Sequence, residues 1–160
     1  MIILGIDPGF SFTGYAILKK DGNRTMLLDF GYLRLPQSKS LQERVTLFHD
    51  ALDAKIKQFQ VTHLSIETPF LGKNAQNFLK LGYLRGILYL LSQKNNLTLF
   101  EFAPTQIKQS LTGFGGASKE QVSRVIFQLF PTLAKPDKYD ATDALAISLC
   151  GLWQPKHLMK

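Results

Sequence analysis

The apolar positions fall into two rhythms. Residues 2–6 are apolar almost without a break and run into Asp7, where Pro8-Gly9 stops them. A short apolar run closed by turn residues predicts a buried strand, here one that ends on a carboxylate. Residues 13–19 read as a second strand. Asp21-Gly22 then predicts a tight hairpin, because both residues tolerate the positive φ of a primed turn. Residues 26–35 return as a third strand, so the chain opens with a three-stranded antiparallel meander. The period then lengthens. Leu41, Val45, Phe48, Leu52, Ile56 and Phe59 recur at helical spacing, which is one face of a helix over 40–60. Ser40 and Glu43 form a capping box at its start. Residues 61–67 alternate as a strand, and this strand also ends on a carboxylate, Glu67.

Asn74 is placed to cap a second helix running to residue 94. Its apolar residues, Phe78 to Leu91, occupy more than one side. That predicts burial on several faces, in the core and with a dimer interface as a further option. Gly82 and Gly86, four apart, would let another backbone come close. Residues 97–102 read as a fifth strand and 104–111 as a short helix, followed by the glycine-rich 113–116. Ser118 and Gln121 form another capping box, opening a helix to about residue 130. Pro131 and Pro136 punctuate a loop. Residues 139–152 read as the last helix, with Leu145, Leu149 and Leu152 on one face. The order βββαβαβ, then helices, predicts an α/β fold: a five-stranded mixed sheet flanked by helices. The strand-helix-strand part supplies its parallel pairs. No repeat or linker divides the 160 residues, so one domain over 1–160 is expected.

Charge adds a partner. Lysine and arginine number 19 against 12 acidic residues, a net +7. A basic balance favours a polyanion, nucleic acid first. Cys150 is the single cysteine and cannot form an internal disulfide, which suggests a reducing compartment. It reads as core filler. The N-terminal apolar run stops too early for a signal peptide. Lys80 and Arg85 interrupt the longest apolar stretch, so no membrane span and a cytoplasmic location are expected.

The carboxylates carry the candidate chemistry. Asp7 and Glu67 end strands, and neighbouring strands lie about 4.8 Å apart. If those strands adjoin, their ends can share an ion. Asp140 and Asp143, three apart, share one helical face. Clustered carboxylates repel one another unless cations neutralise them, and hard oxygen ligands select magnesium or manganese. Two such ions suit phosphodiester hydrolysis. Taken singly, each acid also has a structural reading: a turn residue at Asp7, a strand end at Glu67, a helix N-terminal residue at Asp140. Asp137 lies on the same spacing and stands as an alternative ligand.

The ordered series of motifs is far more specific. Gly5-Ile6-Asp7-Pro8-Gly9, Thr13-Gly14-Tyr15, Ile66-Glu67 with Phe70, and Lys73-Asn74-Ala75 come first. Leu79-Lys80-Leu81-Gly82, Arg85-Gly86, Ile107-Lys108-Gln109, Lys119 and Asp140-Ala141-Thr142-Asp143-Ala144-Leu145-Ala146 follow. Over nearly the whole chain this series resembles the RuvC family of bacterial Holliday-junction resolvases. The resemblance implies an RNase H-like fold and a homodimer whose subunits nick opposing strands of a four-way DNA junction, in recombination and repair. It implies Asp7, Glu67, Asp140 and Asp143 as metal ligands for two magnesium ions, with manganese as a substitute, and selects Asp140 over Asp137. Lys119 is implied as catalytic. Lys108 matches the family's other functional lysine, and both lysines are suited to holding a phosphate. Phe70 matches an aromatic that stacks on junction bases. Lys73, Lys80 and Arg85 are candidates for DNA-backbone contacts. The family works with a branch-migration motor complex, and no residue here identifies that contact. The sequence departs from the family pattern at Phe10-Ser11-Phe12, which is aromatic where small or polar residues are expected.

Three rival readings fit parts of the pattern. An actin-like sugar kinase or ATPase opens with a similar strand, acidic turn and hairpin, but it needs two such halves. A silent RNase H-like DNA-binding module would not need all four acids. A nuclease cutting forks or flaps with less junction selectivity fits the same residues.

Overall fold

A computed structural model of the chain describes residues 1–69, 75–133 and 140–154, with the Asp140 side chain outside the described set. The meander is β1 (Ile2–Asp7), β2 (Phe12–Asp21) and β3 (Arg24–Arg34). The rest of the chain supplies α1 (Leu41–Phe59), β4 (His63–Glu67), α2 (Ala75–Lys94), β5 (Thr98–Phe102), α3 (Pro104–Thr112), α4 (Lys119–Leu129) and α5 (Asp140–Leu152). The five strands form one mixed sheet in the order β3-β2-β1-β4-β5. β1 is antiparallel to β2 and parallel to β4, and β4 is parallel to β5. The RNase H-like α/β expectation holds.

The β2–β3 hairpin turns one residue later than the Asp21-Gly22 signal implies. Asp21 pairs with Arg24, so Gly22 and Asn23 make the turn, and Gly22 takes the positive φ, 56°. The register slips between Ile17 and Leu18, placing a bulge in β3.

Strand alternation sorts the core into two layers. Leu4, Ile6, Ile17, Leu64 and Ile66 pack with Phe48, Leu52 and Ile56 of α1 and Leu84, Leu88 and Leu91 of α2. Ile3, Ala16, Leu18, Phe100 and Phe102 pack on the other face with α3, α4 and α5. Asp7 has the parity of Ile3 and Gly5, and Glu67 that of Ser65. Both acids therefore belong to the α5 face.

Both capping boxes form, Ser40 with Glu43 and Ser118 with Gln121. Two helices are seated differently from expectation. In α1 the buried stripe is Arg44, Phe48, Leu52 and Ile56, while Leu41 stays exposed. Arg44 is accommodated because one guanidinium nitrogen donates to the Phe10 carbonyl and the group lies 3.9 Å over the Phe10 ring. Phe10 thus covers the α1–α2 layer, and Phe12 packs edge-on against Tyr32. In α2 the expected burial on several faces is corrected to one stripe. Leu84, Leu88 and Leu91 are buried, whereas Phe78, Leu79, Tyr83 and Leu90 are exposed. No atom lies within 4 Å of where a Cβ would stand at Gly82 or Gly86, so neither glycine serves a close approach among the described residues. No described helix is long and apolar enough to cross a membrane.

Candidate active site

Parallel pairing sets the two strand-end acids side by side. Ile6 pairs with Ile66, and the next residue on each strand is Asp7 or Glu67. Beyond Asp7 the chain turns sharply: the Thr13 hydroxyl donates to the Gly9 carbonyl at 2.9 Å and accepts from the Gly9 amide at 3.3 Å. Thr13 is fully buried, so this turn is held from inside.

α5 lies across the ends of β1 and β4 because both strands carry a small residue two positions before the acid. A Cβ on Gly5 would stand 2.6 Å from the Ala144 carbonyl and 2.1 Å from Ser148 Oγ. Two fully buried serines fasten the contact. Ser65 donates to the Ile147 carbonyl at 2.8 Å. Ser148 Oγ lies 2.9 Å from the carbonyls of both Ala16 and Ala144. This seating brings Asp143 over the strand ends. Asp140 begins the same helix.

Lysines approach from α3 and α4. Ile107 and Leu111 bury one side of α3, which leaves Lys108 half-buried at the cleft. The Ser118 cap starts α4 immediately before Lys119, whose ammonium lies 2.8 Å from Asp143 Oδ2. That lysine is 67% exposed, so the pair contributes about 1 kcal/mol or less to stability. Its importance is local charge. Asp7, Glu67 and Asp143 line one cleft of about 310 Å³ together with Lys108, Lys119, Ile107 and Val122.

Glu67 registers the crowding. Burial raises its carboxyl above the usual range, and the Asp143 carboxylate raises it further, while Lys119, Lys108 and Arg85 oppose the shift. A cation in the cleft would relieve both effects. The donors are hard oxygens, which suit magnesium or manganese rather than soft metals. No three acidic, histidine or cysteine side chains among the described residues already form an ion cage.

Of the other candidates, Lys80 is exposed on α2, its ammonium 5.9 Å from the Phe10 ring centre. Arg85, expected at a DNA backbone, is instead buried, 6% exposed. Its guanidinium donates to the Glu67 carbonyl and pairs with Glu101. Phe70, Lys73, Asn74 and Asp137 lie outside the described residues. Sequence reasoning quoted Gly5 only as part of a motif and missed the packing roles of Gly5, Ser65 and Ser148. A small residue two before each strand-end acid was the available signal.

A mixed sheet with carboxylates on adjoining parallel strand ends, faced by a third acid on a crossing helix and by two lysines, defines a nuclease of the RNase H-like class. The comparisons make the assignment particular. Residues 3–151 match the family profile described as crossover junction endodeoxyribonuclease RuvC, and the chain belongs to that family. A relative of that name from Chlorobium phaeobacteroides is 40% identical over 152 residues, covering 95% of this chain and 81% of its own. One from Ruminiclostridium cellulolyticum is 38% identical, covering 94% and 90%. The structure of Thermus thermophilus RuvC in complex with a Holliday junction substrate aligns with a TM-score of 0.89 at 25% identity, covering 96% of this chain and 93% of that one.

Proposed function

We propose that this chain is a magnesium-dependent, structure-selective endonuclease that resolves Holliday junctions by paired symmetric nicks, as a homodimer, in homologous recombination and DNA repair. The observation that carries this reading is the cleft that gathers Asp7, Glu67 and Asp143 beside Lys108 and Lys119 in a chain of the RuvC family. In this reading Asp7, Glu67, Asp140 and Asp143 hold two magnesium ions, with manganese as a substitute. The chemistry that two such ions supply when bound is activation of the attacking water and stabilisation of the leaving oxygen.

The protein's own groups do the rest. Lys119 leaves Asp143 for the scissile phosphate and offsets the charge that develops there. Lys108, deeper in the cleft, holds a non-bridging phosphate oxygen. The apolar wall of Ile107 and Val122 limits water around the acids, which strengthens each charge interaction. Phe70 stacks on a junction base, and Lys73 and Lys80 contact the DNA backbone. The exposed Phe78, Leu79 and Tyr83 of α2, beside the open Gly82 and Gly86, suit a second copy of the chain. A branch-migration motor complex is the further partner this reading implies.

The test compares wild type and Asp7→Asn on a four-way junction, a fork and a linear duplex, with magnesium present. Junction-selective cutting, abolished by Asp7→Asn while binding survives, is expected. Equal cutting of all three substrates would overturn junction selectivity, and undiminished cutting by Asp7→Asn would overturn the site. A strict monomer on DNA by sedimentation would overturn paired incision.

A further inference from the structure

We propose that Arg85 is a positioning residue for Glu67, which it holds by the backbone from the sheet face opposite the cleft. This rests on the nuclease reading for the role of Glu67 and replaces a DNA contact for Arg85. The geometry is a closed network. Arg85 on α2 donates to the Glu67 carbonyl, pairs with the Glu101 carboxylate, and donates to the Tyr89 hydroxyl at 2.9 Å. Tyr89, one turn along the same helix, donates in turn to Glu101 at 2.9 Å.

Strand parity explains why these groups meet. Glu101 pairs across the sheet with Ile66, and Ile66 packs in the α1–α2 layer. The Glu101 side chain therefore rises towards α2, while the Glu67 side chain falls on the other face, in the cleft. Arg85 reaches Glu67 from behind, through its backbone carbonyl.

The position matters because Glu67 is the last residue of β4. A strand end has fewer ladder bonds to define it than a strand middle, and the Glu67 carboxylate can be no better placed than its own backbone. A buried guanidinium is costly unless paired and fully bonded. With Glu101, Tyr89 and the Glu67 carbonyl as partners, it becomes a rigid strut between α2 and the end of β4. Groups of this kind, one step behind a metal ligand, set its orientation. Arg85 is too deeply buried to be a general contact for a passing phosphate.

The test measures manganese binding by electron paramagnetic resonance, beside junction binding in metal-free buffer and steady-state cleavage. The variants are Arg85→Met, Arg85→Lys and Glu101→Gln. Manganese affinity and kcat should fall together by about tenfold in Arg85→Met, the low end for groups supporting a ligand. Arg85→Lys should recover part of the loss, and Glu101→Gln should show a smaller loss in the same direction. Junction affinity and KM should stay within about twofold of wild type, since no DNA contact is removed. Weakened junction binding with intact manganese affinity would make Arg85 a DNA contact and overturn the proposal. Unchanged manganese affinity in folded variants would reduce it to packing and overturn it equally. Should Arg85→Met fail to fold, Arg85→Lys and Glu101→Gln decide. A wild type that binds manganese in an Arg85-dependent way but does not cut a junction would sink the nuclease reading alone.

Discussion

Gly5→Ala tests whether the seating of α5 on β1 builds the cleft. The added methyl would meet Ser148 Oγ at 2.1 Å, and the Ala144 carbonyl and Ser148 amide nitrogen both at 2.6 Å. The hydroxyl can rotate away, at the loss of its bonds to the Ala16 and Ala144 carbonyls. The backbone atoms cannot rotate. Carbon atoms of this kind are essentially never closer than 3.0 Å to a neighbour, so α5 must withdraw by at least about 0.4 Å. Overpacking of a filled core costs about 1–3 kcal/mol, and each kcal/mol lowers Tm by roughly 2–4 °C in a chain of this size. A depression of about 2–12 °C follows.

The same shift moves Asp143 away from Asp7, which lies two residues from the substitution. A misplacement of about 1 Å can cost a hundredfold in rate, so half of it should cost about tenfold. Thermal melting and single-turnover cleavage of a four-way junction at saturating enzyme read the two effects separately. The double variant Gly5→Ala/Ser148→Ala removes the hydroxyl clash but keeps the backbone ones, and it should melt no higher than Gly5→Ala. Wild-type melting and rate in Gly5→Ala would refute the argument. Recovery of Tm in the double variant would show that the hydroxyl alone sets the spacing. A lowered Tm with an unchanged rate would detach the seating of α5 from the chemistry.

Lys119→Met should leave Tm within a few degrees, because its ion pair is largely exposed. Its single-turnover rate should fall by about a hundredfold, the usual loss for a group that stabilises developing charge; a near-normal rate would remove Lys119 from the machinery. Glu67→Gln should stabilise the metal-free protein at about pH 8. The raised Glu67 carboxyl holds its proton in the folded chain to higher pH than in the unfolded one, so its contribution to stability falls as pH rises from its unfolded value through its folded value. The advantage of the variant should vanish towards about pH 4, and urea melts showing a pH-independent difference would contradict this. Ser40→Ala removes the α1 cap and should cost about 1 kcal/mol with junction cleavage unchanged. Junction affinity should fall linearly on a log–log plot against salt as phosphate contacts release counterions, and a flat titration would exclude a backbone-led mode.

What the sequence disclosed, and what it hid, follows from the range of the interactions concerned. Ser40–Glu43 and Ser118–Gln121 satisfy helix N-termini within three residues, so the starts of α1 and α4 were legible locally. β1 was legible because its apolar run and the Pro8-Gly9 stop are adjacent. α2 was not: its apolar residues cover most of its surface, and composition cannot tell which stripe meets α1 and the sheet. Only the tertiary arrangement selects Leu84, Leu88 and Leu91 for burial. Arg44 and Arg85 were hidden for a related reason. A charged residue in a helix reads as solvated unless its partner is known, and these partners come from Phe10, Glu67 and Glu101, 16 or more residues away in the chain. The carboxylates lie between these extremes. Their residue types and order were visible, but their convergence depends on features with no acidic character: a missing side chain at Gly5, two buried hydroxyls at Ser65 and Ser148, and parallel pairing of β1 with β4. The small-x-acid pattern in Gly5-Ile6-Asp7 and Ser65-Ile66-Glu67 therefore carries two requirements at once. The first residue admits α5, and the third, on the same face by strand alternation, meets the acid which that helix brings.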